Sequence, residues 1–244
     1  MKKETINKKK KILIVIPAYN EEMNIDKVLK SVKKDVGFAD ILVVNDGSTD
    51  NTRKIVLDNG VKCIDNIFNM DSSFAIQTGI KYAYENDYDY VIQMDADGQH
   101  IAKEATKLYE TIIKEDVDVV IGSRYLEDLG YKGPQLRRWG TKIFEKLIKF
   151  FCKEKITDSL SGFRCYNKGV IKLLANYDNY LEYMDANFII KLLQNDYKIK
   201  EIPVIMLPRS SGRSKFKGII MPIKYMVKMF YIIFFTVIFK PKRK

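Results

Sequence analysis

At 244 residues and 46% hydrophobic content, the chain is long enough for one large domain with its own core and too apolar to be disordered. The 42 Lys and Arg residues outnumber 31 Asp and Glu, and the resulting net charge of +11 asks for an anionic partner. Nucleic acid, an acidic membrane leaflet and phosphorylated substrates all answer that description. Cys63, Cys152 and Cys165 are odd in number and not spaced for metal, which excludes a disulfide framework and suggests reduced thiols in a cytosolic setting. The basic start (Lys2, Lys3, then Lys8 to Lys11) is followed only by the short apolar run Ile12 to Ile16, so no secretion signal is expected.

Ile12 to Ile16 is a continuous apolar run of the buried-strand kind. Asn20-Glu21-Glu22 opens a helix to about Lys34, with Ile25, Val28, Leu29 and Val32 at helical spacing. Ile41 to Asn45 reads as a second strand, Asn51 to Asn59 as a helix, Val61 to Ile64 as a third strand and Ser72 to Asn86 as a helix. Tyr90 to Met94 is a fourth strand, Lys103 to Lys114 a helix and Val117 to Ile121 a fifth strand. This alternation predicts an α/β fold with an open, mostly parallel sheet flanked by helices. Ligands of such sheets bind beyond the carboxyl ends of the strands.

After Arg124 the alternation stops. Gln135 to Cys152 is a long basic amphipathic helix, with Leu136, Trp139, Ile143, Phe144, Leu147 and Phe151 on one face and Arg137, Arg138, Lys142 and Lys146 on the other. A polar turn from Asp158 to Arg164, a helix from Met184 to Asn195 and a strand from Lys198 to Met206 follow, then a basic loop from Arg209 to Lys217. Ile219 to Phe239 is apolar and aromatic, but Lys224 and Lys228 interrupt it and basic residues flank both sides. A spanning helix wants about 20 mostly apolar residues, so an interfacial helix on an anionic leaflet is expected instead. The chain thus divides into a catalytic domain, 1–210, and a basic loop with a membrane-associated helical segment, 211–244.

The chemistry centres on Tyr90 to His100. A short apolar strand ends in Asp95 and Asp97, two carboxylates two residues apart, and then Gly98, which lets the backbone turn sharply. Such a pair is expensive to desolvate without a positive partner. Hard oxygen ligands suit Mg²⁺ or Mn²⁺ shared with substrate phosphates, whereas the plain alternative is a solvated Asp-rich turn. Three more polar loops end strands at the same edge: Pro17 to Glu22, Asp46-Gly47-Ser48 and Gly122-Ser123-Arg124. The absence of a Gly-x-Gly-x-x-Gly turn and of a Walker lysine loop argues against dinucleotide-binding and P-loop readings.

These motifs, with Asp46-Gly47-Ser48-Thr49-Asp50 and Ser161-Gly162-Phe163-Arg164, resemble the inverting glycosyltransferases of family 2, which have the Rossmann-like GT-A fold. The nearest subgroup is the polyprenyl-phosphate (dolichol-phosphate) mannose and glucose synthases. The resemblance implies transfer of a hexose from a UDP- or GDP-sugar to a polyprenyl phosphate at the cytoplasmic face of the cell membrane, for cell-surface glycan assembly. It implies that Pro17, Ala18, Tyr19, Glu21, Asp46, Asp95 and Ala96 line the nucleotide-sugar pocket, with Asp46 on the base. Asp95, Asp97 and Gln99 would hold Mg²⁺ or Mn²⁺, and Asp97 would be catalytic through it. Arg124, Arg138, Arg164, Arg209, Ser214 and Lys215 would serve acceptor and phosphate binding. The resemblance implies catalytic roles for two further carboxylates: Asp158 would be the acceptor-side carboxylate, steering or deprotonating the acceptor, unless it is a salt-bridge partner of Arg164, and Asp185 would be a second candidate base. His100, the only histidine, is expected to be a structural hydrogen-bonder.

Two departures stand out. Where the family has a glycine-rich turn, this chain has Asn69-Met70-Asp71-Ser72-Ser73, and Asn187 stands where many relatives carry Glu. If anchoring needs more than residues 219–239, a separate small membrane protein would supply it, and two-fold assembly through the C-terminal helices is a further candidate association. Transfer to a saccharide acceptor and a degenerate scaffold subunit remain as alternatives. A nucleic-acid binder is disfavoured because no base-reading motif accompanies the charge.

Overall fold

The computed structural model describes residues 10–131, 135–176, 184–208 and 220–238. The elements run β1 (Ile12–Ala18), α1 (Ile25–Asp35), β2 (Asp40–Asn45), α2 (Thr52–Asp58), β3 (Lys62–Asp65), α3 (Ser72–Glu85), β4 (Tyr90–Gln93) and α4 (Ala102–Lys114). They continue with β5 (Val119–Ser123), α5 (Gln135–Cys152), β6 (Arg164–Asn167), α6 (Lys168–Ala175), α7 (Ala186–Gln194), β7 (Ile199–Pro203) and α8 (Ile220–Ile238). The sheet order is β3-β2-β1-β4-β6-β5-β7, parallel except that β6 runs antiparallel between β4 and β5.

The expected open, mostly parallel sheet is present, and β6 and α6 are the elements that sequence periodicity did not predict. Arg164 to Asn167 is only one short strand, too brief for a period-2 signal. Its pairing with Tyr90 to Gln93 is non-local, which no short window can register. The first helix also starts later than predicted. Asn20 adopts a positive φ of 53° and Glu21 O receives the amides of Asn24 and Ile25, so residues 20–24 are a turn.

β1 is buried along its whole length because helices cover both faces. Leu13 and Val15 point into one core, with α3, α6, α7 and the inner side of α8. Ile12, Ile14 and Ile16 point into the other, with α1 and α4. Each such side chain contributes about 1.5–3 kcal/mol by leaving water. Among the described residues, no helix is long and apolar enough to cross a membrane.

Gly79 sets how closely α3 lies on β1: a Cβ there would collide with Val15 Cγ1, which is stiff because it is β-branched. Gly79→Ala should therefore destabilise the protein by about 1–2 kcal/mol, overpacking outweighing the helix-propensity gain. Thermal unfolding checks this, and Val15→Ala in the same chain should recover part of the loss. An unchanged or raised Tm would refute the packing argument.

Candidate functional site

The carboxyl ends of β1, β2, β4 and β5 meet at one edge, tied together through the backbone. Asp46 N donates to Ala18 O at 2.8 Å and Asn66 N to Asn45 O at 2.9 Å. Asn20 N donates to Ser48 Oγ at 3.0 Å and Glu21 N to Thr52 Oγ1 at 2.8 Å, fastening the loop after β1 onto the loop after β2. Pro17 and Ala18 are buried, Tyr19 is 39% exposed, and the Glu21 carboxylate accepts from Asn24 Nδ2 at 2.6 Å.

Asp46 is 2% exposed. Its Oδ1 accepts from Asn66 Nδ2 at 2.8 Å and from Met70 N at 3.1 Å, while its Oδ2 is buried with no partner among the described residues. A buried carboxylate oxygen without a protein donor is costly and is open to an N–H or O–H from a ligand or a water. Gly47 has φ +70°, and a Cβ on it would lie 2.7 Å from the backbone carbon of Phe68, so residues 66–70 pass directly over this turn.

At the end of β4, Gly98 has φ +77° and reverses the chain. Asp97 Oδ1 accepts from Gln99 N at 3.0 Å, and Gln99 Nε2 donates to Leu207 O at 3.2 Å. Asp95 N donates to His100 Nδ1 at 3.0 Å, so the imidazole proton is on Nε2, which lies 3.7 Å from Asp95 Oδ2. His100 stacks on Phe163, with ring centroids 4.6 Å apart and 13° between planes. Burial pushes its pKa down to about 4, so it is a neutral hydrogen-bonder, as expected for a lone histidine here. The Asp95 side chain is 42% exposed, and a Cβ on Gly162 would sit 3.1 Å from both its oxygens. Ala96 is buried beneath the turn.

No group of three His, Cys, Asp or Glu side chains placed for a metal occurs among the described residues. The Asp95–Asp97 pair therefore does not fit a caged structural zinc. It fits a hard divalent cation that takes its remaining ligands from phosphates and water.

Asp158 does not pair with Arg164. It is fully buried and grips Arg124: Nε donates to Oδ2 at 2.7 Å, Nη2 to Oδ1 at 2.6 Å, and the Arg124 amide to Oδ2 at 3.0 Å. Burial opposes the Arg124 charge, but the Asp158 carboxylate outweighs it and its pKa is raised. The turn carrying Asp158 is held by Glu201 of β7, which accepts from Thr157 N at 2.6 Å, Thr157 Oγ1 at 3.1 Å and Asp158 N at 2.8 Å. Arg164 lies under the site, 1% exposed, donating to Met184 O at 2.5 Å and Ser159 O at 2.8 Å. With its fork turned to main-chain carbonyls, it braces the frame. Arg138 is exposed on α5, 6.0 Å from the Tyr125 ring. Arg209, Ser214 and Lys215 lie outside the described residues.

Asp185 immediately precedes α7, and burial raises its pKa. Its Oδ2 accepts from Tyr225 Oη of α8 at 2.6 Å. Asn66, Glu201 and Tyr225 are site-side residues that sequence reasoning missed. Glu201 alone left a signal, a carboxylate between Ile199 and Ile202 within a predicted strand.

The glycosyl transferase family 2 model matches residues 13–174. The UDP-N-acetylglucosamine–dolichyl-phosphate N-acetylglucosaminyltransferase of Methanococcus voltae is 31% identical over 80% of this chain and 85% of its own length. The polyprenol monophosphomannose synthase of Mycolicibacterium smegmatis is 25% identical over 88% of this chain and 84% of that protein. Among solved structures, glucosyl-3-phosphoglycerate synthase from Mycobacterium tuberculosis, in complex with Mn²⁺ and UDP-glucose, superposes with a TM-score of 0.66 at 17% identity, covering 93% of this chain and 78% of that one. The family match runs from the first strand into α6 and takes in the Asp46, Asp95 and Asp97 turns, so the chain belongs to glycosyl transferase family 2 and is a glycosyltransferase.

Proposed function

We propose that the protein transfers a hexosyl group from a nucleoside-diphosphate sugar to a polyprenyl phosphate, with inversion and with Mg²⁺ or Mn²⁺. The observation that carries this reading is the placement of Asp46, with its unpartnered buried oxygen, and the Asp95–Asp97 pair on strands either side of β1. Two strand spacings separate them by about 10 Å, a distance a nucleoside bridges between base and diphosphate. Asp46 Oδ2 accepts from the base, and Asp95 and Asp97 supply hard oxygens at the diphosphate. When bound, the cation offsets the charge that builds on the departing nucleoside diphosphate.

In the transfer, a lipid phosphate oxygen attacks the anomeric carbon, and the bond from that carbon to the diphosphate oxygen breaks with its electron pair. The attacking phosphate is already an anion near neutral pH, so positioning matters more than deprotonation. Asp158, held by three donors from Arg124, shapes the acceptor side instead of taking a proton. Asp185 is the acceptor-side carboxylate that remains. The relatives whose names specify dolichyl phosphate or polyprenol support a lipid acceptor.

The proposed membrane seat is the outer face of α8 with neighbouring residues of α5. Met221, Ile223, Val227, Tyr231 and Phe234 of α8 are exposed, as are Trp139 and Phe150 of α5. Lys142, Lys146 and Lys149 are exposed on α5. Apolar burial plus attraction to anionic headgroups is the signature of an interfacial helix.

Three experiments test these readings. Nucleoside-diphosphate release should require both divalent metal and polyprenyl phosphate, and Asp97→Asn should lower it about 100-fold or more at nearly unchanged Tm. Asp158→Asn should instead lower stability by about 3–5 kcal/mol, because it leaves Arg124 buried without its counter-charge. Metal-independent turnover, or release only with a saccharide acceptor, would overturn the proposal. In sedimentation with vesicles, binding should need anionic lipid, weaken with salt, and fall at least tenfold in Trp139→Ser/Phe234→Ser. Self-association unaffected by vesicles would assign the face to a second copy instead.

A further inference from the structure

α8 has two working faces. The outer one exposes Met221, Ile223, Val227, Tyr231 and Phe234, while Met229 and Ile233 on the inner one are buried in the core shared with α5 and α7. From that inner side the Tyr225 hydroxyl reaches Asp185 Oδ2 at 2.6 Å, across 40 residues of sequence. The Tyr225 ring stands edge-on to Phe144 of α5, with centroids 6.4 Å apart and 89° between planes.

Asp185 occupies the N-cap position of α7, yet its side chain makes no capping bond. An Asp at that position ordinarily accepts from the amides of its own helix. Here its Oδ2 accepts from a hydroxyl of the C-terminal helix, so the bond serves the carboxylate's placement and not the helix end. We propose that Tyr225 is a positioning residue: it fixes the Asp185 carboxylate at the acceptor side and makes that placement depend on α8 being seated. The inference rests on the lipid-phosphate reading above, in which Asp185 faces the acceptor.

The groups that face Asp185 come from four elements. Burial raises its pKa, the Tyr225 hydrogen bond from α8 pulls it back, Arg164 of β6 and Arg137 of α5 do the same, and Asp71 ahead of α3 pushes it up. Removing the hydroxyl takes away a stabiliser of the charged form, so the pKa must rise further. A function that needs the carboxylate is present above that pKa and lost as pH falls through it. The acid limb of the rate profile therefore moves to higher pH in Tyr225→Phe.

The test compares wild type, Tyr225→Phe, Asp185→Asn and the double variant in detergent with polyprenyl phosphate. Phe keeps the ring on Phe144, and Tm is read alongside to confirm an intact fold. Tyr225→Phe should lower kcat/KM for the lipid phosphate about tenfold and raise the acid-limb midpoint by about one pH unit, leaving the KM for the sugar nucleotide unchanged. Asp185→Asn should lose at least as much, and the double variant no more than Asp185→Asn alone. An unchanged acid limb, or a full further loss when Tyr225→Phe is added to Asp185→Asn, overturns the proposal. If wild type shows no lipid-dependent turnover, the functional reading has failed by itself. The ¹³C titration of the Asp185 carboxyl, identified by its absence in Asp185→Asn, then still decides: a higher midpoint in Tyr225→Phe supports the inference and an identical one refutes it.

Discussion

The buried bond between Arg124 and Asp158 governs the geometry of the acceptor half of the site. Removing both charges from water costs several kcal/mol per ion, and the bidentate contact at 2.6–2.7 Å recovers it only if the carboxylate cannot move. Glu201 supplies that rigidity by taking the amides of Thr157 and Asp158. The fixed turn then delivers Ser161, whose hydroxyl donates to Gly122 O at 2.6 Å and accepts from Phe163 N at 3.2 Å. Those bonds admit β6 between β4 and β5. As β6 begins, Gly162 passes against the Asp95 carboxylate and Phe163 stacks on His100, which in turn accepts the Asp95 amide. An ion pair between the end of β5 and the turn before β6 thus sets the position of a candidate metal ligand just beyond β4.

The sequence made the donor half legible and left the acceptor half obscure, for a physical reason. β1, β2 and β4 are apolar runs that stop at Asn, Asp and Gly, so both the strands and the loops after them announce themselves within a few residues. α5 matches its predicted limits, Gln135 to Cys152, because its amphipathic pattern is long. The acceptor half is built from long-range choices. Nearness in sequence favoured Arg164 as the partner of Asp158, six positions away, but antiparallel β6 carries Arg164 under the sheet toward Met184 and Ser159. The end of β5 holds Arg124 above it, within reach of Asp158. The unpartnered oxygen of Asp46 was equally invisible, since it depends on Asn66 and Met70 occupying only the other oxygen.

The turn ahead of α3, where the resemblance implies glycines, takes a strained backbone shape at Asp71. Asp71 adopts φ +85° and ψ 155°, a region that glycine populates freely and other residues occupy at roughly 1–3 kcal/mol of strain. Its carboxylate accepts from Ser72 N at 2.5 Å and Ser72 Oγ at 3.0 Å, capping the helix and offsetting part of that strain. The turn thereby adds a carboxylate ahead of α3.

That extra charge sharpens an electrostatic problem the proposed reaction must solve. Donor diphosphate and lipid phosphate are both anions, and the edge they would approach carries Asp46, Asp95 and Asp97, with Asp185 assigned by the proposal to the acceptor side. Like charges 4 Å apart repel by about 4 kcal/mol at an effective dielectric of 20. The chain's +11 does not cancel this locally, because exposed lysines such as those on α5 act through water and are screened beyond about 8–10 Å. Of the two buried arginines here, Arg124 is neutralised by Asp158, and Arg164 has two of its donors on carbonyls. In the proposed reaction, cancellation at the edge comes from a divalent ion on the diphosphate together with Arg137 of α5, which faces both Asp185 and His100. In the same proposal the surface charge has a different task, holding the protein against an anionic leaflet, so that chemistry and recruitment use separate cations and a chain so basic overall can present an acidic edge to an anionic donor.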